Sequence, residues 1–279
     1  MGITSRFHVY GIDFSGAKDA GKRIWIASGV VDGEALRIDT CYRAADLPGS
    51  AVDRDRCLTA LRNFIASQGD SAFGLDFPFG LPGVLVKGKR NWEDFALSFP
   101  VDYSDPVAFR KSCRERASKA GFHRELKRAT DVDSKTPFSP YNWRLFRQTY
   151  YGIRDLLHPL VRDQLACVLP MQRAQSDKLW ILEICPASTL KKENLPWRRY
   201  KRNTPEGQGL RVRILEGIEA TGRLHIPSAD LRSKILADHG GDALDSVIAA
   251  LATFKALRDP AFPAVEGNDA YALEGYVYV

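Results

Sequence analysis

Acidic residues stand at the ends of apolar segments at several points along the chain. Asp13 follows an apolar stretch that begins near residue 7, and Asp76 follows a shorter apolar stretch that begins at residue 71. A carboxylate in such a place costs several kcal/mol unless it is paired, hydrogen-bonded or bound to a cation. Three more acids have comparable apolar surroundings: Glu183, Asp242 and Asp245. We expect these five acids to converge on one site. Because like-charged carboxylates repel one another, such a cluster predicts a bound cation.

The ligand type indicates which cation and which chemistry. Carboxylate oxygens suit Mg²⁺ or Mn²⁺, and such ions activate water and stabilise the leaving oxygen in phosphodiester hydrolysis. We therefore predict catalytic roles for the five acids, with four of them as metal ligands: Asp13, Asp76, Asp242 and Asp245. Glu183 is predicted to be a further ligand or to orient the water.

Asp242 and Asp245 are three residues apart at the start of a predicted helix over residues 240–257. This spacing puts both carboxylates on one helical face. The preceding pair, Gly240 and Gly241, allows another part of the chain to approach closely. Either acid taken alone is also explained by the helix dipole, which favours negative charge in the first turn.

The elements that must position these acids follow from hydrophobic periodicity. Three successive strands are predicted at residues 6–14, 22–31 and 34–43, with a hairpin turn at Asp32-Gly33. A helix over 53–67 and a strand over 71–76 come next. Further predicted elements are helices from Pro106 and over 144–166, a strand over 178–186, helices over 208–220 and 228–237, and a strand in the tail 270–279.

This pattern indicates the mixed α/β class. Three strands, a helix and a fourth strand, with acids ending the first and fourth strands, follow the ribonuclease H-like order. We predict one ribonuclease H-like domain over 1–279, whose mixed sheet is flanked by helices. Residues 77–178 are predicted to form a mainly helical insertion that covers or feeds the site.

Four short motifs carry a resemblance to a known family. Residues 11–17, 74–80, 182–186 and 241–247 resemble, in this order, motifs of an uncharacterised prokaryotic family usually described as predicted nucleases with a ribonuclease H-like fold. The Asp-x-x-Asp helix is also similar to the last catalytic element of RuvC-type junction resolvases. The resemblance implies metal ligation by Asp13, Asp76 and either Asp242 or Asp245, with Glu183 as a further candidate.

One departure from the pattern affects the ligand set. A ribonuclease H proper has a catalytic Glu on its first helix, and residues 53–67 contain no Glu. A quartet of that type must therefore be completed by Glu183 or by the Asp242/Asp245 pair.

Two other classes of protein remain open. Actin-like and sugar-kinase ATPases also begin with a strand, an Asp and a turn of small residues, as in 11–17, although they need a second phosphate loop. A non-catalytic module that binds nucleic acid or protein is the other alternative.

Charge indicates the substrate. The formal net charge is +6, and residues 87–147 contain 14 Lys/Arg against 8 Asp/Glu, which equals the whole excess. A localised basic region favours a phosphate-bearing partner, either nucleic acid or a small phosphorylated substrate, although a solvated basic face is the alternative. The predicted substrate-binding residues are Ser15, Arg128, Lys135, Arg144, Arg147, Arg198 and Arg199, with Trp143 and Trp197 available for stacking.

Composition sets the remaining bounds. The 279 residues include five scattered cysteines without a Cys-x-x-Cys pair, which argues against a disulfide framework and predicts a cytoplasmic protein. Because no apolar run of about 18 residues occurs, we expect no membrane-spanning segment. No signal peptide is visible.

Overall fold

The computed structural model describes residues 8–279, except 87, 260, 263, 264 and 266. The strands of this part of the chain form one mixed sheet. They are β1 His8–Asp13, β2 Trp25–Asp32, β3 Ala35–Arg43, β4 Ser71–Leu75, β5 Ala166–Leu169, β6 Leu179–Ile184, β7 Leu224–His225 and β8 Val277–Tyr278.

The sheet has the order β5-β6-β4-β1-β2-β3-β7. β1, β2 and β3 are antiparallel neighbours, whereas β1, β4 and β6 run parallel to one another. β5 pairs with the first four residues of β6, and β8 pairs with the last two residues of β6. Because β1, β4 and β6 are parallel, their carboxyl ends lie at the same edge of the sheet.

Helices pack on both faces of the sheet, so the molecule belongs to the α/β class. They are α1 Ala20–Arg23, α2 Arg54–Ser67, α3 Trp92–Asp102, α4 Pro106–Lys119, α5 Ala129–Asp133, α6 Phe146–Gly152, α7 His158–Arg162, α8 Pro186–Lys192, α9 Pro205–Glu219, α10 Ala229–Ala237, α11 Asp242–Arg258 and α12 Asp269–Glu274. A π-helical turn, Ile153–Leu157, joins α6 to α7. Among the described residues, none of the helices has the length and apolar character needed to cross a membrane.

The central strand β1 has a different partner on each face. Tyr10 and Ile12 belong to the apolar cluster that includes α2 and the helices between β4 and β6. Val9 belongs to the opposite cluster, which includes the buried side of α11. This alternation is the period of two that strand geometry imposes. The end of β1 is therefore covered on both faces.

Two glycines bring α11 against the sheet. Gly11 of β1 and Gly74 of β4 are paired in the strand register. A Cβ atom on Gly11 would overlap the backbone of Ser246 and Ala250, and one on Gly74 would overlap the Thr253 hydroxyl. The helix backbone thus lies closer to these strands than any side chain would permit.

The segment between β4 and β6 contains α3 to α7 and β5. Its helices bury an aromatic cluster in which Phe99 packs against Phe109 and Tyr150. α4 begins at Pro106 as the sequence predicts, because the Asp105 carboxylate accepts hydrogen bonds from the backbone N–H groups of Val107 and Ala108. The regular secondary structure within residues 77–178 is therefore mainly helical, with β5 as its strand.

The predicted strands at the start of the chain are confirmed, apart from residues 6 and 7, which lie outside the described residues. The start of the second strand is corrected, because residues 20–23 form α1 and β2 begins at Trp25. The predicted helix over 144–166 ends at Arg162, and the apolar residues 166–169 form β5. Gln164, with φ of +55°, lies in the turn between α7 and β5. Pro186 ends β6 as predicted, but it also begins α8.

Replacing Gly74 by Ala tests the close approach of α11. We expect Gly74→Ala to lower the free energy of unfolding by about 1–3 kcal/mol, because the added methyl forces the helix away from the strand. Gly69→Ala is the matched control, since a Cβ there meets no atom within 4 Å. Urea unfolding of both variants measures the effect, and equal stability of Gly74→Ala and the wild type would contradict the packing.

Candidate metal centre

Three of the predicted ligands converge at the carboxyl edge of the sheet. Asp13 is the last residue of β1, Asp76 follows β4, and Asp245 lies in the first turn of α11. One carboxylate oxygen from each residue lies within 4.8 Å of the other two. The parallel pairing of β1 with β4 and the glycine-mediated contact of α11 produce this convergence, so the fold itself determines the distances.

The three carboxyl groups lie in an environment that disfavours their charge. Burial raises the pKa of Asp13 well above its ordinary value, and burial is also the main cause that raises the pKa of Asp245. Burial and then the Asp245 charge raise the pKa of Asp76 to about 7. Asp13 is only 7% exposed. Such a donor set matches the preference of a hard divalent cation.

A lysine and a tyrosine complete the cluster. Lys201 Nζ lies 2.5 Å from Asp245 Oδ2 and 3.3 Å from Asp242 Oδ1. The Tyr200 hydroxyl donates to Asp245 Oδ1 at 2.7 Å. Lys201 is not among the residues that the sequence predicts at the site. Its distance of more than 40 residues from Asp242 and Asp245 left no local signal for the contact.

Asp242 lies beside the three converging acids and not among them. Its side chain is about 30% exposed and pairs with Lys201. The carboxylate of Asp238 accepts hydrogen bonds from the Asp242 and Ala243 N–H groups, at 2.7 and 3.1 Å, and so caps α11. The predicted pair is therefore divided: Asp245 points into the cluster, and Asp242 lies at its rim.

Glu183 has a different environment from the one predicted. It is buried near the end of β6, where Arg128 Nη1 donates to Oε2 at 2.8 Å and Arg128 Nη2 lies 2.5 Å from Oε1. The backbone N–H of Phe79 also donates to Oε2, at 2.9 Å. Glu183 is not one of the three converging acids. Both of its carboxylate oxygens are hydrogen-bonded to the chain.

Arg128 likewise differs from its predicted role as a substrate-binding residue. It is 1% exposed, and its second edge pairs with Asp131 through Nε at 3.0 Å and Nη2 at 2.9 Å. Although burial lowers the pKa of Arg128, the charges of Glu183 and Asp131 raise it above its ordinary value. An arginine held by two carboxylates connects β6 to α5 and has little capacity left for a phosphate.

A cavity of about 390 Å³ lies over the acids. Its lining includes the three acids Asp13, Asp76 and Asp245, and one wall comes from the segment between β4 and β6. Ser15, Phe138 and Lys201 also line it. Gln148, on this wall, donates from Nε2 to the backbone carbonyl of Asp76, which fixes the wall at the end of β4.

The other predicted substrate-binding residues differ in their distance from the cavity. Ser15 lines it, while its hydroxyl accepts a hydrogen bond from the Ala17 N–H at 3.3 Å. Arg144 and Arg147 are exposed at the start of α6, next to the cavity wall. The remaining three do not line the cavity: Lys135 is exposed, Arg198 lies over the Trp197 ring at 4.0 Å, and Arg199 pairs with Glu206 at 3.5 Å.

The fold and the site together define an α/β protein whose described strands form one mixed sheet, with a cluster of three aspartates, two buried and one half-buried, beneath a cavity. The model of a family described as "Protein of unknown function (DUF429)" matches residues 11–266, and the chain belongs to this family. No curated protein and no solved structure matches the chain.

Replacing Arg128 by Met tests whether its network is structural. We expect Arg128→Met to lower the free energy of unfolding by about 3–5 kcal/mol, because it leaves two buried carboxylates without their cation. The control is Arg162→Met, whose exposed pair with Asp163 is worth about 0–1 kcal/mol. Denaturant unfolding gives both values. An Arg128→Met variant that keeps its stability and loses phosphate binding would restore the substrate role predicted from sequence.

Proposed function

We propose that this protein is a Mg²⁺- or Mn²⁺-dependent phosphodiesterase that hydrolyses nucleic acid. The observation that carries the proposal is the convergence of Asp13, Asp76 and Asp245, whose oxygens lie within 4.8 Å of one another. Burial and the charges of neighbouring acids raise the pKa values of these three carboxyl groups, and a bound cation would stabilise their charged forms. The donor set contains only oxygen, which fits Mg²⁺ or Mn²⁺ better than zinc or copper.

The topology supports a ribonuclease H-like fold for this site. β1, β2 and β3 form an antiparallel meander, α2 follows, and β4 returns parallel to β1. An acid ends the first strand of this series and another follows the fourth, which is the ribonuclease H-like order that the sequence predicts. The helical segment between β4 and β6 is then an insertion into a single domain.

Each residue of the cluster has a defined task in this proposal. Asp13 and Asp76, on neighbouring parallel strands, hold the cation, and Asp245 completes the set from α11. When bound, the cation supplies an activated water and stabilises the leaving oxygen. Asp242 lies at the rim and orients groups that enter the cavity. Glu183 acts indirectly, because its pair with Arg128 fixes the end of β6 beside the cluster.

The cavity limits what can reach the acids. A volume of about 390 Å³ is within the range of small-molecule sites, about 300–1,000 Å³. One nucleotide of a flexible strand or of a chain end fits such a space, whereas a continuous duplex is held off by the wall that carries Gln148. The same volume favours a small phosphorylated substrate as the second candidate.

An aromatic surface beside the cavity favours nucleic acid. The Arg144 guanidinium lies 5.2 Å from the Phe138 ring, which lines the cavity, and 5.1 Å from the Trp143 ring. Trp143 is 61% exposed, so one face of its indole is open to solvent. Together with the exposed Arg147, these residues present stacking surface and positive charge, the combination that single-stranded nucleic acid prefers.

Replacing Asp13 by Asn tests the hydrolytic role. We expect Asp13→Asn to abolish metal-dependent cleavage of single-stranded oligonucleotides, because it keeps the shape of the side chain and removes its charge. The fold should persist, as measured by circular dichroism and thermal unfolding. The exposed Asp177→Asn is the control. Full activity of Asp13→Asn would refute the assignment.

Anomalous scattering from crystals of the wild-type protein soaked in Mn²⁺ checks the position of the metal. The proposal expects density bounded by Asp13, Asp76 and Asp245. A wild-type protein that binds Mn²⁺ there and cleaves neither DNA, RNA nor small phosphate esters would instead favour the non-catalytic binding module.

Replacing Trp143 by Ala tests the aromatic surface. In a cleavage-deficient Asp13→Asn background, we expect Trp143→Ala to weaken binding of a single-stranded oligonucleotide by about tenfold, since a stacked base is worth about 1–3 kcal/mol. The control Val101→Ala removes an even more exposed apolar side chain, which is 88% exposed, from another surface. Fluorescence anisotropy measures both affinities. Unchanged binding would favour the small phosphorylated substrate.

A further inference from the structure

Lys201 brings a positive charge to one side of the acidic cluster. Its ammonium group lies 2.5 Å from Asp245 Oδ2 and 3.3 Å from Asp242 Oδ1. Its charge also acts on Asp13 and Asp76, whose pKa values it lowers against the effect of burial. A single lysine thus offsets part of the negative charge of this group, while the pKa values of Asp13, Asp76 and Asp245 stay raised. The other two cations that line the cavity have partners elsewhere, Arg23 at Asp19 and Arg128 at Glu183.

The backbone of this lysine is held firmly. The carbonyl of the preceding Tyr200 accepts a hydrogen bond from the buried Arg211 at 2.7 Å, and the Tyr200 ring packs beside Gly241. Gly241 has φ of +73°, and a Cβ at this position would meet Lys201 Cγ and the Tyr200 ring at 3.2 Å. The close approach of the two segments, which delivers the ammonium to the acids, therefore depends on glycine.

The side chain of Lys201, by contrast, is partly exposed to solvent. It is about 45% exposed, whereas that of Asp245 is only 3% exposed. Lysine has a flexible stem with rotatable bonds and ends in a compact point charge. Rotation about these bonds can carry the ammonium into the cavity while the backbone stays in place.

We propose that Lys201 is a built-in counter-ion that exchanges with the divalent cation. In the metal-free protein its ammonium neutralises the acids and occupies oxygens that the cation needs. When the cation binds, the ammonium leaves Asp245 and turns into the cavity, where it faces the phosphate of a substrate. The inference rests on the proposed metal site and adds to it an intrinsic competitor that lowers the apparent affinity for metal.

The affinity consequence follows from the exchange. When only a fraction of molecules has a free site, the apparent dissociation constant increases by the inverse of that fraction. Removing the ammonium should therefore tighten metal binding. Replacing it by a guanidinium, which can bind a carboxylate in a bidentate manner, should weaken metal binding. A lysine that only stabilises the fold predicts neither change.

Isothermal titration calorimetry with Mn²⁺ alone tests the exchange, at one pH and one ionic strength. We expect the Mn²⁺ dissociation constant of Lys201→Met to be about tenfold lower than that of the wild type, and that of Lys201→Arg to be higher. Lys119→Met, at the exposed end of α4, is the control and should bind like the wild type. If Lys201→Met fails to fold, the direction of the Lys201→Arg change still decides.

The outcomes separate this inference from the proposed function. Unchanged Mn²⁺ affinity in Lys201→Met and Lys201→Arg would overturn the exchange, even if the wild type cleaves nucleic acid in a metal-dependent manner. The expected order of affinities without any cleavage would support the exchange and refute the nuclease. Absence of Mn²⁺ binding in the wild type, Lys201→Met and Lys201→Arg proteins would overturn both.

Discussion

The close contact between α11 and the two central parallel strands is the constraint on which the site depends. Gly11 and Gly74 are paired across β1 and β4, and both lack the side chain that would separate helix from sheet. The contact places the first turn of α11 over the carboxyl ends of these strands. Asp245 consequently meets Asp13 and Asp76, although about 170 residues separate Asp245 from Asp76 along the chain. A small displacement of the helix would separate the acids, so packing of the core and geometry of the site cannot vary independently.

The acids at this edge of the sheet are neutralised in two contrasting ways. Glu183 and Asp131 share one buried arginine, whose guanidinium pairs with both carboxylates and is 1% exposed. Asp245 and Asp242 share one lysine, whose side chain is about 45% exposed. Arginine is suited to a permanent bidentate pair, and lysine to a point contact that is easily broken. The first arrangement stabilises the structure around the cavity, and the second leaves the cluster available to another cation.

The sequence predicted the elements and acids whose signals are local. Asp13 and Asp76 were identified because each ends an apolar strand, and Asp245 because it begins an apolar helix. Lys201 was missed because its partners are far away in sequence and its neighbours are other basic residues. Glu183 was identified as a buried acid, but a buried acid can bind either a metal or an arginine. The tertiary contact to Arg128 decides between these two roles. β5 was missed because a four-residue apolar run lacks a period that separates strand from helix.

The segment between β4 and β6 links substrate access to the same edge of the sheet. Gln148 donates to the carbonyl of Asp76, and the backbone of Arg147 packs so closely on Gly16 that a Cβ there would lie 2.6 Å from the Arg147 carbonyl oxygen. The wall of the cavity is therefore built directly on the turns that follow β1 and β4. Because the wall and the acids share these turns, the cavity cannot widen for a duplex without disturbing the carboxylates. Under the proposed function, a preference for a flexible strand or a small phosphate ester would follow from how the acids are held.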